Sequence, residues 1–175
     1  MMQKFCRTCS RTGLHIHKHA LIKPQPQEPD SRYRLPRTVV PKHYDLSIIP
    51  GPDTLRFTGN VTIAVDLRES TSVVTVNAKA LTIDRAAIAD GTGREFVGTV
   101  SYDADAETAQ IDFDGCLDAG SWALTMSFAG VHGANGQGFF ASKWQGEDKV
   151  EHTVLCTQFE AADARSAFPC FDEPA

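Results

Sequence analysis

Nowhere in the 175 residues does an apolar run approach the about 20 residues that a membrane-spanning helix requires, and the N-terminus lacks the apolar core of a secretory signal. Cysteine is sparse: Cys6, Cys9, Cys116, Cys156 and Cys170 are odd in number and irregular in spacing, which excludes a secreted disulfide framework and favours a reducing compartment. Acidic residues are missing from positions 1–27, which hold Lys4, Arg7, Arg11, Lys18 and Lys23, so the remaining body carries all 22 acids against 12 bases. Such a body has no Lys/Arg cluster after residue 37 to displace counterions from a phosphate backbone, so nucleic acid is excluded as a partner. These absences describe a soluble protein of the cytoplasm. The basic, acid-poor, Arg-bearing leader permits a mitochondrial destination as the alternative.

What is present suits a globular chain, because 42 % hydrophobic residues against 22 % charged ones can build a core. A chain of this length forms one ordinary domain and buries roughly 70 % of the surface its unfolded form exposes. The first 34 residues read as a disordered tail ending in a proline-spaced linker, Lys23-Pro24-Gln25-Pro26-Gln27-Glu28-Pro29, which forms neither helix nor central strand. Residues 35–175 read as a single β domain.

Alternation of apolar and polar residues starts the β pattern. Tyr44, Leu46 and Ile48 face one way with Asp45 and Ser47 opposite, and Pro50-Gly51-Pro52-Asp53 makes a turn. Phe57, Val61, Ile63, Val65 and Leu67 predict a second strand, and Val73-Val74-Thr75-Val76 a third. Leu81, Ile83 and Ile88 bracket a polar stretch before the Gly91-Thr92-Gly93 turn, 97–102 pairs with 109–113 as a hairpin, and Trp122, Leu124, Met126 and Phe128 share one face of a further strand. Close-set strands without a long amphipathic helix predict a mostly antiparallel sandwich or curved sheet rather than a parallel α/β fold. Residues 161–168 allow a helical turn or two, ended by Pro169.

Few constellations point to chemistry. Cys6-x-x-Cys9 with His15, His17 and His19 offers zinc-compatible ligands, but no apolar periodicity surrounds them to fold a finger, and no ligand is assigned. His43, His132 and His152 are scattered and read as structural. His-Glu-x-x-His and Gly-x-Ser-x-Gly are both absent, and Cys156 and Cys170 lie among apolar neighbours that favour inert thiols. Glu160, Asp172 and Glu173 have no readable separation as a glycosidase carboxylate pair. One segment stands out: in extended Thr157-Gln158-Phe159-Glu160, alternation aims Gln158 and Glu160 the same way. A carboxylate in a partly dry pocket reads a peptide's α-ammonium through a charged hydrogen bond, whereas an exposed polar strand face explains the same residues without function.

The run Thr157-Gln158-Phe159-Glu160-Ala161-Ala162-Asp163-Ala164-Arg165-Ser166-Ala167-Phe168-Pro169-Cys170-Phe171-Asp172-Glu173-Pro174 resembles the segment closing the N-terminal domain of M1 zinc aminopeptidases. Leu35-Pro36-Arg37-Thr38-Val39-Val40-Pro41-Lys42-His43-Tyr44-Asp45-Leu46 resembles that family's opening strand, and Gly138-Phe139-Phe140-Ala141-Ser142 its Gly-Phe-Tyr-x-Ser element. Two departures are Ala161, where many members have Pro, and Phe140, where Tyr is common. The resemblance implies a saddle-shaped, mostly antiparallel β domain packed on a thermolysin-like catalytic domain, with peptides bearing a free N-terminus as substrates. It implies that Glu160 binds the substrate α-amine and Gln158 lines the pocket for the amine and first residue, while Asp163, Arg165, Asp172 and Glu173 are structural.

No catalytic residue and no metal ligand is expected in this chain. Zinc belongs to a catalytic domain expected beyond Ala175, so the chain is expected to be inactive by itself. The rival expectation is a stand-alone, non-catalytic β domain that binds a protein partner.

Overall fold

A computed structural model describes residues 34–173, which form an almost wholly β structure of nine strands. The strands are β1 (Val39–Gly51), β2 (Arg56–Leu67), β3 (Thr71–Asn77), β4 (Thr82–Asp90), β5 (Glu95–Asp103), β6 (Thr108–Leu117), β7 (Gly120–Val131), β8 (Gly138–Gln145) and β9 (Glu151–Gln158). Seven of them make one antiparallel sheet in the order β1-β2-β7-β4-β5-β6-β3, and β8 and β9 make a separate two-stranded ribbon.

The sequence pattern explains the curl of the large sheet. Each central strand presents an unbroken apolar face: Phe57, Val61, Ile63, Val65 and Leu67 on β2, Trp122, Leu124, Met126 and Phe128 on β7, and Ala109, Ile111 and Phe113 on β6. These faces join β3's Val74 and Val76 in one contiguous core, although β2 and β3 lie at opposite ends of the strand order. A single sheet buries one face against itself only by curling. Two cross-strand pairs tighten the bend. Phe128 lies opposite Gly59 and Phe57 opposite Gly130, and a Cβ at either glycine would stand 2.5 or 2.3 Å from the facing ring. Glycine therefore gives each ring a seat on the neighbouring backbone.

Most predicted strands lie where alternation put them, and the 97–102/109–113 hairpin pairs Gly98 with Phe113 and Tyr102 with Ala109. One segment differs. Residues treated as a polar stretch between Leu81 and Ile88 form β4, whose pairing with β7 slips between Ile83 and Arg85. That bulge leaves Asp84 and Arg85 both exposed and breaks the period of two on which recognition of a strand depends. The anticipated helical stretch over 161–168 reduces to one 3-10 turn, Ala164–Ser166.

After that turn the chain crosses between the two edges of the sheet. Asn77, on edge strand β3, exchanges backbone hydrogen bonds with Cys170 at 2.8 and 3.1 Å, and its side-chain oxygen accepts from Asp172 N at 3.0 Å. On edge strand β1, the Tyr44 hydroxyl accepts from Phe171 N at 2.9 Å. The segment thus ties β3 to β1.

Candidate functional site

The ribbon leads to the site. Its last rung pairs Gly138 with Gln158, and the strand stops there. The next residue, Phe159, turns inward to meet Phe168 edge-on, with ring centroids 6.2 Å apart. Gln158 and Glu160 both remain exposed, whereas Phe159 is partly buried. The Gln158 side-chain oxygen accepts a hydrogen bond from Glu160 N at 3.2 Å, which holds the amide side chain beside the Glu160 backbone. Strand alternation is thus not what orients Glu160: it sits in a turn, and the Glu160–Ala161 peptide bond is cis.

Hydrogen bonds behind the turn fix its path. Asp163 N donates to Phe159 O at 3.0 Å, and the Ser166 hydroxyl donates to Asp163 O at 2.7 Å. Arg165 is mostly buried, and its backbone N and Nε both donate to Asp172 Oδ2, at 3.2 and 3.1 Å, while a terminal nitrogen donates to Asp172 O at 2.9 Å. Glu107 receives Arg165 at 3.5 Å and Lys79 at 2.7 Å, and Lys79 reaches Asp163 at 3.9 Å. A buried guanidinium needs such a complete set of acceptors. The Glu173 carboxylate accepts from Leu35 N. The polar residues of this segment are therefore paired to one another or to the backbone, the arrangement of a scaffold.

Its other titratable groups are poorly suited to chemistry. Burial pushes the Cys170 thiol up to about 12, so it stays protonated and unreactive at neutral pH. Burial likewise pushes the Tyr44 hydroxyl up to about 12. Two hollows flank the turn: one of about 200 Å³ among Lys79, Asn135, Gln137, Phe139, Asp163 and Ser166, and one of about 230 Å³ among Tyr44, Leu46, Phe168, Cys170 and Phe171. Glu160 lines neither.

The scattered histidines do not converge. His43 is exposed on β1, and His152 stacks on Trp144 of the ribbon with centroids 4.6 Å apart. His132, just after β7, is buried between Phe57 and Phe139 and neither ring nitrogen has a hydrogen-bond partner. Desolvation lowers its pKa, so the ring is neutral and joins sheet to ribbon as an aromatic wedge. Among the described residues no three His, Cys, Asp or Glu side chains group as a metal centre requires. The described residues therefore offer no ligand set for a zinc ion. Cys6, Cys9, His15, His17 and His19 lie outside the described residues.

A curled antiparallel sheet, a two-stranded ribbon and an exposed Gln-x-Glu at the ribbon's base define a β-rich domain. The chain belongs to the peptidase M1 N-terminal domain family, which matches residues 40–175. It is 38 % identical over 146 residues to Aminopeptidase M1-C of Oryza sativa subsp. japonica, covering 81 % of this chain and 16 % of that protein. It is 34 % identical over 171 residues to Aminopeptidase 2 of Candida albicans, covering 97 % of this chain and 18 % of that protein. Against Aminopeptidase N of Acetobacter pasteurianus it is 35 % identical over 142 residues, covering 81 % of this chain and 39 % of that protein. The chain thus spans only a minor part of the relatives it matches.

Proposed function

We propose that this domain supplies the wall of a zinc aminopeptidase active site that recognises the substrate's free α-amine, with Glu160 binding the ammonium and Gln158 bordering the first residue. The observation that carries this reading is the turn itself. Gln158 and Glu160 stand exposed and joined by a hydrogen bond, while Arg165, Asp172 and Ser166 behind them are paired within the segment. Glu160 presents an acceptor-only charge to an ammonium, and a charged hydrogen bond of that kind discriminates against a blocked N-terminus. An exposed carboxylate binds weakly in water, so the contact gains strength only when a second surface closes over it and excludes solvent. In this reading that surface, the zinc and the attacking water belong to a catalytic domain outside the described residues, and the chain by itself does not hydrolyse peptides.

The test is Glu160→Gln in the aminopeptidase chain that carries this domain. Loss of the charged contact is expected to lower kcat/KM for free-amine peptides by about tenfold or more while zinc content stays unchanged. Wild-type kinetics would reject the assignment. Hydrolysis of a leucyl anilide by the 175-residue chain alone would overturn the division of labour.

One observation favours a second reading, a binding domain without catalysis. The ribbon face shared by Gln158 also carries Phe140, Cys156, Val154 and Trp144, with Trp144 and Val154 exposed. An apolar face turned to solvent marks a contact surface. A protein partner retained by the wild type and lost in Trp144→Ser would favour it.

A further inference from the structure

We propose that the hollow at the start of β1 is a binding site for a small carboxylate carried on an aliphatic chain. The hollow measures about 440 Å³, a size typical of ligand sites. Its walls meet where two strand ends come together: Val39 pairs with Leu67, and just beyond them Arg68 N donates to Thr38 O at 2.8 Å. That contact gathers Arg34, Arg37 and Arg68 around one cavity on a chain of net charge -5.

Outside the hollow three arginines face carboxylates, and Arg56 makes no ion pair with any described residue. Arg85 faces Glu95, Arg94 faces Asp90 and Asp118, and Arg165 faces Asp172. Arg37 has a contact of its own, but the exposed Arg34 and Arg68 side chains make no ion pair with any described residue. The acid of the wall, Glu173, is turned onto Leu35 N. The apolar residues Val39, Val40, Pro41 and Phe171 complete the lining.

Each feature selects part of a ligand. A planar guanidinium matches a planar carboxylate through paired hydrogen bonds, and a concave wall with three cationic side chains against one acid concentrates anions. The apolar lining gains nothing from a bare inorganic ion but removes an aliphatic chain from water. Neither Gln158 nor Glu160 lines the hollow, so the site stands independently of the amine-recognition reading.

Hexanoate added to the full 175-residue chain, followed by NMR, is the direct probe, with hexylamine and inorganic phosphate as comparisons. Hexanoate is expected to shift Val39, Val40 and Phe171 with a Kd on the order of 1 mM, as befits a ligand of about eight non-hydrogen atoms. Hexylamine is expected to leave these signals in place and phosphate to bind more weakly. The double variant Arg34→Gln with Arg68→Gln should weaken hexanoate by about tenfold or more, whereas Arg56→Gln, outside the hollow, should not. Absence of shifts, phosphate binding as tightly as hexanoate, or full binding by the double variant overturns the proposal. If the double variant misfolds, salt decides on the wild type, since binding that survives 0.5 M NaCl unchanged, at a screening length of about 4 Å, also overturns it.

Discussion

The seven-stranded sheet and the two-stranded ribbon are built from the same alternating pattern and end in opposite states. In the sheet, the inward positions of β2 and β7 are buried almost without exception, because the curl supplies an opposing face for each. In the ribbon only the base is covered. Phe139 packs between Phe57 and His132, while Lys143, Trp144 and Gln145 near the tip are exposed. A two-stranded sheet has no second layer of its own, so its apolar residues stay at the surface unless something docks on them. Most of the buried apolar surface therefore lies in the sheet, and the ribbon beyond its base packs against little else.

Removing one ring from each region should separate sheet from ribbon energetically. Phe128→Ala opens a cavity over Gly59 and is expected to cost about 4 kcal/mol in equilibrium urea unfolding. Trp144→Ala on the exposed ribbon is expected to cost well under about 1 kcal/mol. Equal losses would mean that ribbon and sheet share one core.

The junction between them is tested by acid. The folded pKa of His132 lies below its ordinary value of 6.5, because desolvation disfavours the charged ring. Above about pH 6.5 the ring is neutral in both folded and unfolded chains, and stability is unaffected. As pH falls further the unfolded chain takes the proton first, so stability drops by at most about 1.4 kcal/mol per pH unit until pH passes the folded pKa. Thermal melts between pH 7.5 and 5 should show this slope, and His132→Leu should remove its share. An unchanged slope in the variant would place the acid sensitivity elsewhere.

The smallest effect is expected at the ribbon's tip. Lys143 and Glu151 pair at 2.6 Å with both side chains largely solvated. Such pairs contribute little, so Lys143→Ala should lower the unfolding free energy by no more than about 0.5 kcal/mol in equilibrium urea unfolding. A larger loss would show that the ribbon carries more of the fold than its exposure implies.

Legibility in the sequence followed periodicity. β2, β6 and β7 are readable because their buried apolar residues recur with a period of two. β4 is not, since a bulge between Ile83 and Arg85 shifts its phase, and no local signal announces a bulge without its partner strand. At the candidate site, Gln158 and Glu160 were readable as neighbours, but the turn that presents Glu160 was read as extended chain. The acceptors around Arg165 come from Glu107 and Asp172, and no spacing rule links Glu107 to them.

The β class, the alternating core faces and membership of the M1 N-terminal family are written locally in the chain, because periodicity and contiguous motifs are local properties. Tertiary structure alone decided that the sheet curls, that the closing segment ties β3 to β1, and that Arg34 and Arg68 share one hollow. Each of these depends on contacts between residues far apart in the chain, and strand pairing brings such residues together without leaving a mark in the local pattern.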